Sequence, residues 1–331
     1  MISLIVAAYN VKPYLDEFLK SVVNQTYNDF EAILVDDGST DGTGAVLDEY
    51  AQKYEFLKVI HKENGGCVSA WKKGIENSVG EYITFADPDD VMCENSLETQ
   101  YRLMTENDAD LVITGIKRLE NGVLTGMPAD NWEMLEGVYF DEALENIKKN
   151  LFGNIENKEN IFWFARWNKL FKRDIVLKNL VYSKDNIVFG EDVCISASAI
   201  YDSKRLYYSK EELYKYRIRE NSLTTVNFNT KLIDDSEILI EAVRNLCKDK
   251  GYFNDFIYYN DPSYHIIRLL RKIGSLHCKT KEKKNYLRLL KNHTFVTQYD
   301  LKKAKKYIRK KRYIAIWLLK HSMFGLLLRI L

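Results

Sequence analysis

The chain has 331 residues and an almost balanced charge, 48 Lys and Arg against 47 Asp and Glu, and is long enough for a catalytic domain plus a smaller one. Its five Cys, at 67, 93, 194, 247 and 278, are odd in number and scattered without a Cys-x-x-Cys, so neither a disulfide framework nor a zinc site is indicated. The apolar run after Met1 is too short for a secretory signal and suits a core strand, which leads us to expect a protein of the reducing cytoplasm.

In chain order, residues 2–8 are an almost unbroken apolar run ending at Tyr9-Asn10. Helical periodicity over 11–26 follows, then a strand pattern at 32–35 that ends in Asp36-Asp37-Gly38-Ser39-Thr40-Asp41. Residues 42–54 again have helical spacing, 56–60 read as a strand leading to Asn64-Gly65-Gly66, and 69–78 as a helix. A fourth strand at 82–86 runs into Asp87-Pro88-Asp89-Asp90. Such alternation predicts an α/β fold with a mostly parallel sheet flanked by helices, in which ligands bind outside the carboxyl ends of the strands. All four polar clusters fall at that edge.

Acidic residues after a strand are also ordinary helix caps, and Asp41 suits that role ahead of 42–54. Capping needs one acid, whereas Asp87, Asp89 and Asp90 place three in four positions and repel one another unless something cationic compensates. Carboxylate oxygens suit Mg²⁺ or Mn²⁺, with substrate phosphates completing the shell. No Gly-x-x-x-x-Gly-Lys-Ser/Thr and no Gly-x-Gly-x-x-Gly after the first strand is present, which argues against a P-loop enzyme or a dinucleotide dehydrogenase. The first loop also lacks the Asp-x-Asp of a haloacid-dehalogenase-type phosphatase.

Taken together, Ile5-Val6-Ala7-Ala8-Tyr9-Asn10, Asn24-Gln25-Thr26-Tyr27, Val35 to Asp41, Asn64-Gly65-Gly66, Gly80-Glu81-Tyr82-Ile83 and Asp87-Pro88-Asp89-Asp90 resemble the family 2 inverting glycosyltransferases of glycosyltransferase-A fold. The resemblance is close over the first hundred residues and thinner through Trp167-Asn168-Lys169-Leu170-Phe171, Gly190-Glu191-Asp192, Tyr216-Arg217 and Ser222-Leu223-Thr224. It implies that Tyr9 and Asp37 hold a uracil ring, that Asp36 supports their loop, and that Asp87 and Asp89 are the metal-binding pair with Asp90 near the donor sugar. It implies Asp192 as the catalytic base, beside Glu191. Many relatives carry Arg-Asn where this chain has Trp71-Lys72, so Lys72 or Lys73 is expected to hold donor phosphates as a point charge, or else to be solvated beside a packed Trp71.

Sugar transfer needs neutralisation of the departing diphosphate, which a metal supplies as a Lewis acid, and a base for the acceptor hydroxyl. Glu191 and Asp192 also suit a helix N-terminus, and the two roles are compatible. The function implied is metal-dependent, inverting transfer from a UDP-sugar to a hydroxyl of a lipid-linked or growing surface glycan. A sugar-1-phosphate nucleotidyltransferase is the alternative enzyme, although Tyr9 to Pro13 lacks the Gly-rich basic loop it needs. A catalytically weak homologue that binds a partner glycosyltransferase is the other.

Residues 1–225 are expected to form the catalytic domain, with nucleotide-sugar binding in 1–100 and the acceptor side in 101–225, including a strand at 111–116. Among Trp163, Phe164, Trp167 and Phe171, Trp167 with Asn168 and Lys169 is the candidate acceptor contact. Residues 226–331 read as helical, with helices at 232–248 and from Pro262-Ser263 to Ile273. From Lys279 to Leu331 there are sixteen Lys and Arg against Glu282 and Asp300, a net +14 that leaves −13 for residues 1–278. The apolar stretch at 314–331 is too short and too charged to span a bilayer and predicts a basic amphipathic helix on an anionic membrane, at the inner face of the cell membrane. Packing onto preceding helices, or onto a second copy in a homodimer, is the other reading. Trp317-Leu318-Leu319 and Leu326-Leu327-Leu328 do not suit phosphate contact, so nucleic acid is not expected as a partner.

Overall fold

A computed structural model describes residues 1–126, 134–153, 164–185, 187, 190–219 and 228–331. Trp163, Ser222-Leu223-Thr224 and the expected 225/226 boundary lie outside the described residues. The chain divides into two compact units, Met1–Lys148 with Trp163–Asn186 and Glu191–Glu220, and Lys149–Phe162 with Ile187–Gly190 and Asn221–Leu331.

In the first unit the predicted alternation is present: β1 (Ile2–Ala8), α1 (Lys12–Val23), β2 (Phe30–Asp36), α2 (Thr43–Ala51), β3 (Leu57–His61), α3 (Cys67–Glu76) and β4 (Tyr82–Ala86). After it come β5 (Val91–Met92), α4 (Ser96–Glu106), β6 (Leu111–Glu120), β7 (Val123–Gly126), β8 (Gly137–Phe140), α5 (Asp141–Asn150), β9 (Lys169–Lys172), α6 (Arg173–Asn179), α7 (Asp192–Asp202) and β10 (Arg205–Arg217). The sheet order is β3-β2-β1-β4-β9-β6-β10-β5, with β7 on β6 and β8 on β10. β1 to β4 are parallel, β9 runs antiparallel to both β4 and β6, and β10 returns parallel to β6. The sheet is therefore parallel where the alternation is regular and mixed beyond it.

β1, β2 and β4 are buried along almost their whole length and mostly apolar because both their faces are covered. Leu4, Val6 and Leu34 share a buried cluster with Leu15, Phe18 and Leu19 of α1. Each such side chain contributes about 1.5–3 kcal/mol on burial. Phe85 meets the ring edge of Trp71 on α3, with centroids 5.8 Å apart. In register, Ala8 lies opposite Asp36 and Val6 opposite Ala86, so the loops after β1, β2 and β4 leave the sheet at nearly the same level. Chain order reverses between β1 and β4, the place where such sheets bind ligands.

The second unit contains α8 (Lys231–Asp249), α9 (Asp255–Ser275), α10 (Thr280–Asn292), α11 (Thr294–Thr297), α12 (Leu301–Ala304), α13 (Lys310–Lys320) and α14 (Phe324–Ile330). α9 begins two turns earlier than expected and runs through Pro262. Asn254 caps it by accepting from the Ile257 N–H at 3.0 Å. Pro262 has no N–H for the Tyr258 carbonyl, and Arg244 of α8 donates to that oxygen instead, at 3.3 Å.

The tail departs from the single lipid-facing helix expected at 314–331. It forms two short helices interrupted around Ser322, whose φ is 59°, and Ile316, Leu319 and Leu327 are fully buried in one cluster with Leu269, Leu270, Leu287 and Leu290. The physical reason is that the apolar faces of α9 and α10 offer this stripe a dry partner within the same unit. Lys320, a charge within this stripe, donates to the carbonyls of Val296, Thr297 and Tyr299 at 3.2, 3.3 and 2.7 Å and so caps α11. Among the described residues no helix is long and apolar enough to cross a membrane.

Candidate active site

Tyr9, at the end of β1, is 51% exposed. The loops after β1 and β2 are laced together: Asn10 donates its N–H to Ser39 Oγ at 3.0 Å and accepts the Thr40 N–H on Oδ1 at 2.9 Å. Asp41 accepts the Thr43 N–H at 2.9 Å and the Lys12 N–H at 3.1 Å, so one carboxylate serves the starts of both α1 and α2. Asp36 accepts the Ser39 N–H at 3.0 Å and faces His61 Nδ1 at 3.0 Å, whose other nitrogen faces Asp48 at 3.0 Å. Those two carboxylates raise the His61 pKa, and the Ser39 and His61 contacts outweigh burial to lower that of Asp36.

Asp37 is buried and organises the neighbouring loop: its carboxylate accepts from Lys62 Nζ at 2.6 Å and from the N–H groups of Gly65 and Gly66 at 2.9 and 2.8 Å. Gly38 follows with φ +77°, and a Cβ there would stand 2.9 Å from the Asn64 nitrogen, so only glycine permits this approach. The Asp-Asp-Gly turn after β2 is thus packed closely against the loop between β3 and α3.

The acidic loop after β4 is tied to β10 and the residues after it. The Asp87 N–H donates to Tyr214 Oη at 2.9 Å. Asp90 is turned inward, 1% exposed, and accepts the Arg217 N–H at 2.7 Å, so it anchors the loop. Burial, with Asp89 and Asp87 adding to it, holds the Asp90 pKa well above the usual carboxylate range. Asp89 pairs with Arg219 Nε at 2.6 Å, and its carbonyl accepts from Arg217 Nε at 2.7 Å. Both arginines lie against the Tyr14 ring, at 5.5 and 5.3 Å.

Arg166, only 3% exposed, joins this loop to α7. Its Nη2 donates to Asp87, and its Nη1 donates to Asp192 and lies 3.4 Å from Glu191 Oε1. Burial pushes the Asp87 carboxyl up to about 6 against the pull of Arg166. It pushes Glu191 up to about 8, with Asp192 adding to the shift. Asp192 opens α7, as its helix-start reading required.

The remaining sequence candidates fall outside this cluster. Lys73 pairs with Glu76 on its own helix at 3.4 Å, while Lys72 reaches Asp185 at 2.6 Å and the Ser183 carbonyl at 2.7 Å. Trp71 is packed against Phe85 as the second reading had it, but Lys72, 24% exposed and paired, is not solvated. Trp167 is buried and parallel to the rings of Tyr214 and Tyr216, at 4.5 and 5.4 Å. Asn168 donates to the Thr114 carbonyl at 2.8 Å, and buried Lys169 donates to Ala165 O and to Asn168 Oδ1. The polar groups of Asn168 and Lys169 are thereby spent beneath the site, stitching β9 to β6, where an acceptor contact was expected. Burial lowers the Lys169 pKa to about 7.

Arg166, Arg219 and Tyr214 are the residues that sequence reasoning missed. A charged residue inside the aromatic run Phe164-Ala165-Arg166-Trp167 was the available signal. Among the described residues no group of three His, Cys, Asp or Glu stands ready around one point for a metal. Asp87 and Asp89 nevertheless fit Mg²⁺ or Mn²⁺ chemically, since such ions take one or two carboxylates with the rest of the shell from phosphate and water.

A sheet that is parallel around its switch point, with an acidic loop there and a carboxylate-tipped helix beside it, has the glycosyltransferase-A fold. The chain belongs to Glycosyl transferase family 2, whose sequence profile matches residues 3–180. It is 31% identical over 229 residues to the uncharacterized glycosyltransferase EpsJ of Bacillus subtilis (strain 168), covering 69% of this chain and 64% of that one. It is 31% identical over 228 residues to glycosyltransferase GlyA of Streptococcus pneumoniae serotype 4, covering 68% of this chain and 32% of the relative, so both relatives extend well beyond the match. The crystal structure of S. aureus TarS 1-349 in complex with UDP-GlcNAc superimposes with a TM-score of 0.69 at 20% identity, covering 99% of this chain and 89% of that one.

Proposed function

We propose that this protein transfers a sugar from a UDP-sugar to a hydroxyl of a lipid-linked or growing surface glycan, with inversion at the anomeric carbon. The observation that carries the reading is the meeting of Asp87 and Asp192 on one buried guanidinium, which puts a donor-side carboxylate and a base candidate in the same site. The UDP-GlcNAc bound by TarS supports the choice of donor class. In this reading Tyr9 stacks on the uracil, Asp37 accepts its imide hydrogen, and Asp36 keeps their loop in place. Asp192 takes the acceptor hydroxyl's proton as that oxygen bonds to the anomeric carbon, and the bond to the diphosphate oxygen breaks with its electron pair leaving on UDP. Asp87 and Asp89 would hold a Mg²⁺ or Mn²⁺ ion, which would supply Lewis-acid neutralisation of the leaving diphosphate.

The acceptor enters from the side of residues 101–225. The lysines at 302, 303, 305 and 306 and Arg309 to Arg312 of the helical region 226–331 draw the enzyme to an anionic membrane surface, each cation near that surface contributing about 1 kcal/mol. The test is a panel of nucleotide sugars with Mn²⁺ and candidate acceptors, read as free UDP. We expect release from at least one UDP-sugar, stimulated by an acceptor and abolished by a chelator. A protein that neither binds UDP nor releases it from any donor refutes the reading.

A further inference from the structure

We infer that Arg166 is a positioning residue for the transfer: its guanidinium sets the spacing between the base carboxylate of Asp192 and the donor-side carboxylate of Asp87. The inference rests on the roles proposed above for those two residues. The two carboxylates come from segments far apart in the chain, the end of β4 and the start of α7, and the Arg166 side chain bonds to both. Nη1 holds Asp192 and Nη2 holds Asp87, so the planar fork spans the pair as a rigid bracket.

The bracket itself is fixed. Ser196 Oγ of α7 donates to the Phe164 carbonyl at 2.7 Å, Lys169 Nζ donates to the Ala165 carbonyl, and Thr84 Oγ1 of β4 donates to the Lys169 carbonyl at 2.8 Å. The guanidinium carbon lies 6.0 Å from the centre of the Phe85 ring. Buried ion pairs add little stability over apolar packing because desolvation offsets their attraction. A fully buried arginine with both prongs on site carboxylates therefore gains its value from geometry, where a displacement of about 1 Å can cost about 10²-fold in rate. A lysine keeps the charge and loses the fork, which makes Arg166→Lys the informative variant.

The experiment compares the full-length protein with Arg166→Lys, Arg166→Met, Asp192→Asn and the Arg166→Lys/Asp192→Asn double variant. The readouts are kcat and KM for the active UDP-sugar, UDP affinity by calorimetry with Mn²⁺, and melting temperature. We expect Arg166→Lys to lower kcat about 10²-fold, with UDP affinity within about threefold of wild type and an unchanged melting temperature. In the Asp192→Asn background the same change should lower kcat less than about threefold, because the group being positioned has gone. A full 10²-fold loss in both backgrounds overturns the inference, as does wild-type kcat in Arg166→Lys when Asp192→Asn is impaired. Wild-type kcat in Asp192→Asn overturns the base assignment instead.

Discussion

Replacing Asp37 by Ala tests whether its carboxylate holds the turn that brings the loop before α3 onto the end of β2. The substitution removes the acceptor of the Gly65 and Gly66 N–H groups and of Lys62 Nζ. A buried N–H left without a partner costs about 1–3 kcal/mol, and these two, on an exposed and a half-buried glycine, fall at the low end of that range. The Lys62 side chain is 21% exposed and can turn to solvent at little cost. Water entering the small space left behind recovers part of the loss, so the expected total is about 2–4 kcal/mol. In a unit of roughly 200 residues, where 1 kcal/mol moves the midpoint by about 2–4 °C, the melting temperature should fall by about 4–16 °C. Asp37→Asn keeps one acceptor oxygen and should lose about half as much. Thermal melts by circular dichroism report the first effect, and calorimetric titration with UDP should show at least a tenfold loss of affinity, about 1.4 kcal/mol. A melting temperature within about 1 °C of wild type for Asp37→Ala would mean that the carboxylate does not hold the turn, and the magnitude argument would fail.

Asp89→Ala should abolish transfer and divalent-dependent UDP binding while leaving the melting temperature within about 3 °C of wild type; retained activity sinks its assignment as a metal ligand. Asp192→Asn should cut turnover about 10²-fold or more at near-normal donor affinity, and lost affinity with intact turnover would point to a helix-start role alone. Because the carboxylates of Asp36 and Asp48 raise the His61 pKa, the bridge is complete below about pH 6.5 and fades as pH rises through the raised folded value. At half exposure it is worth under about 1 kcal/mol, so the melting difference between wild type and His61→Gln should be largest near pH 6 and gone by about pH 9; a difference that grows with pH refutes this. Leu319→Ala should destabilise the helical unit by about 2–5 kcal/mol, measured by denaturant titration, whereas a lipid-facing residue would leave stability unchanged and reduce vesicle binding.

The first hundred residues were legible because each strand is a short continuous apolar run and each loop carries its own Gly, Asn or Asp signals. Strand β9 was harder, since Lys169 to Lys172 is four residues long with lysines at both ends, and its pairing with β4 and β6 is non-local. The carboxylates of the site could be picked out one by one, but not the direction each takes. Asp90 turns inward because the Arg217 backbone, 127 positions away, offers it a donor. Arg166 reaches Asp87 across 79 positions, and no local pattern encodes that meeting. In the tail the apolar stripe was visible and its partner was not, because a stripe that suits lipid also suits the side of another helix.

Pro262 gives the second unit a means of pairing helices selectively. Inside a helix it removes a bond and leaves the Tyr258 carbonyl exposed as an acceptor, at a cost of about 3 kcal/mol if nothing answers it. Arg244 answers from α8, with its guanidinium carbon 4.5 Å from the centre of the Tyr258 ring. Apolar helix faces alone tolerate rotation and sliding past one another. A lone carbonyl met by a long fork from the neighbour fixes both, so the gap in one helix works as a keyhole for the other. The two positions should then vary as a unit, with Ala in place of Pro262 restoring the missing helical bond and leaving Arg244 free to change.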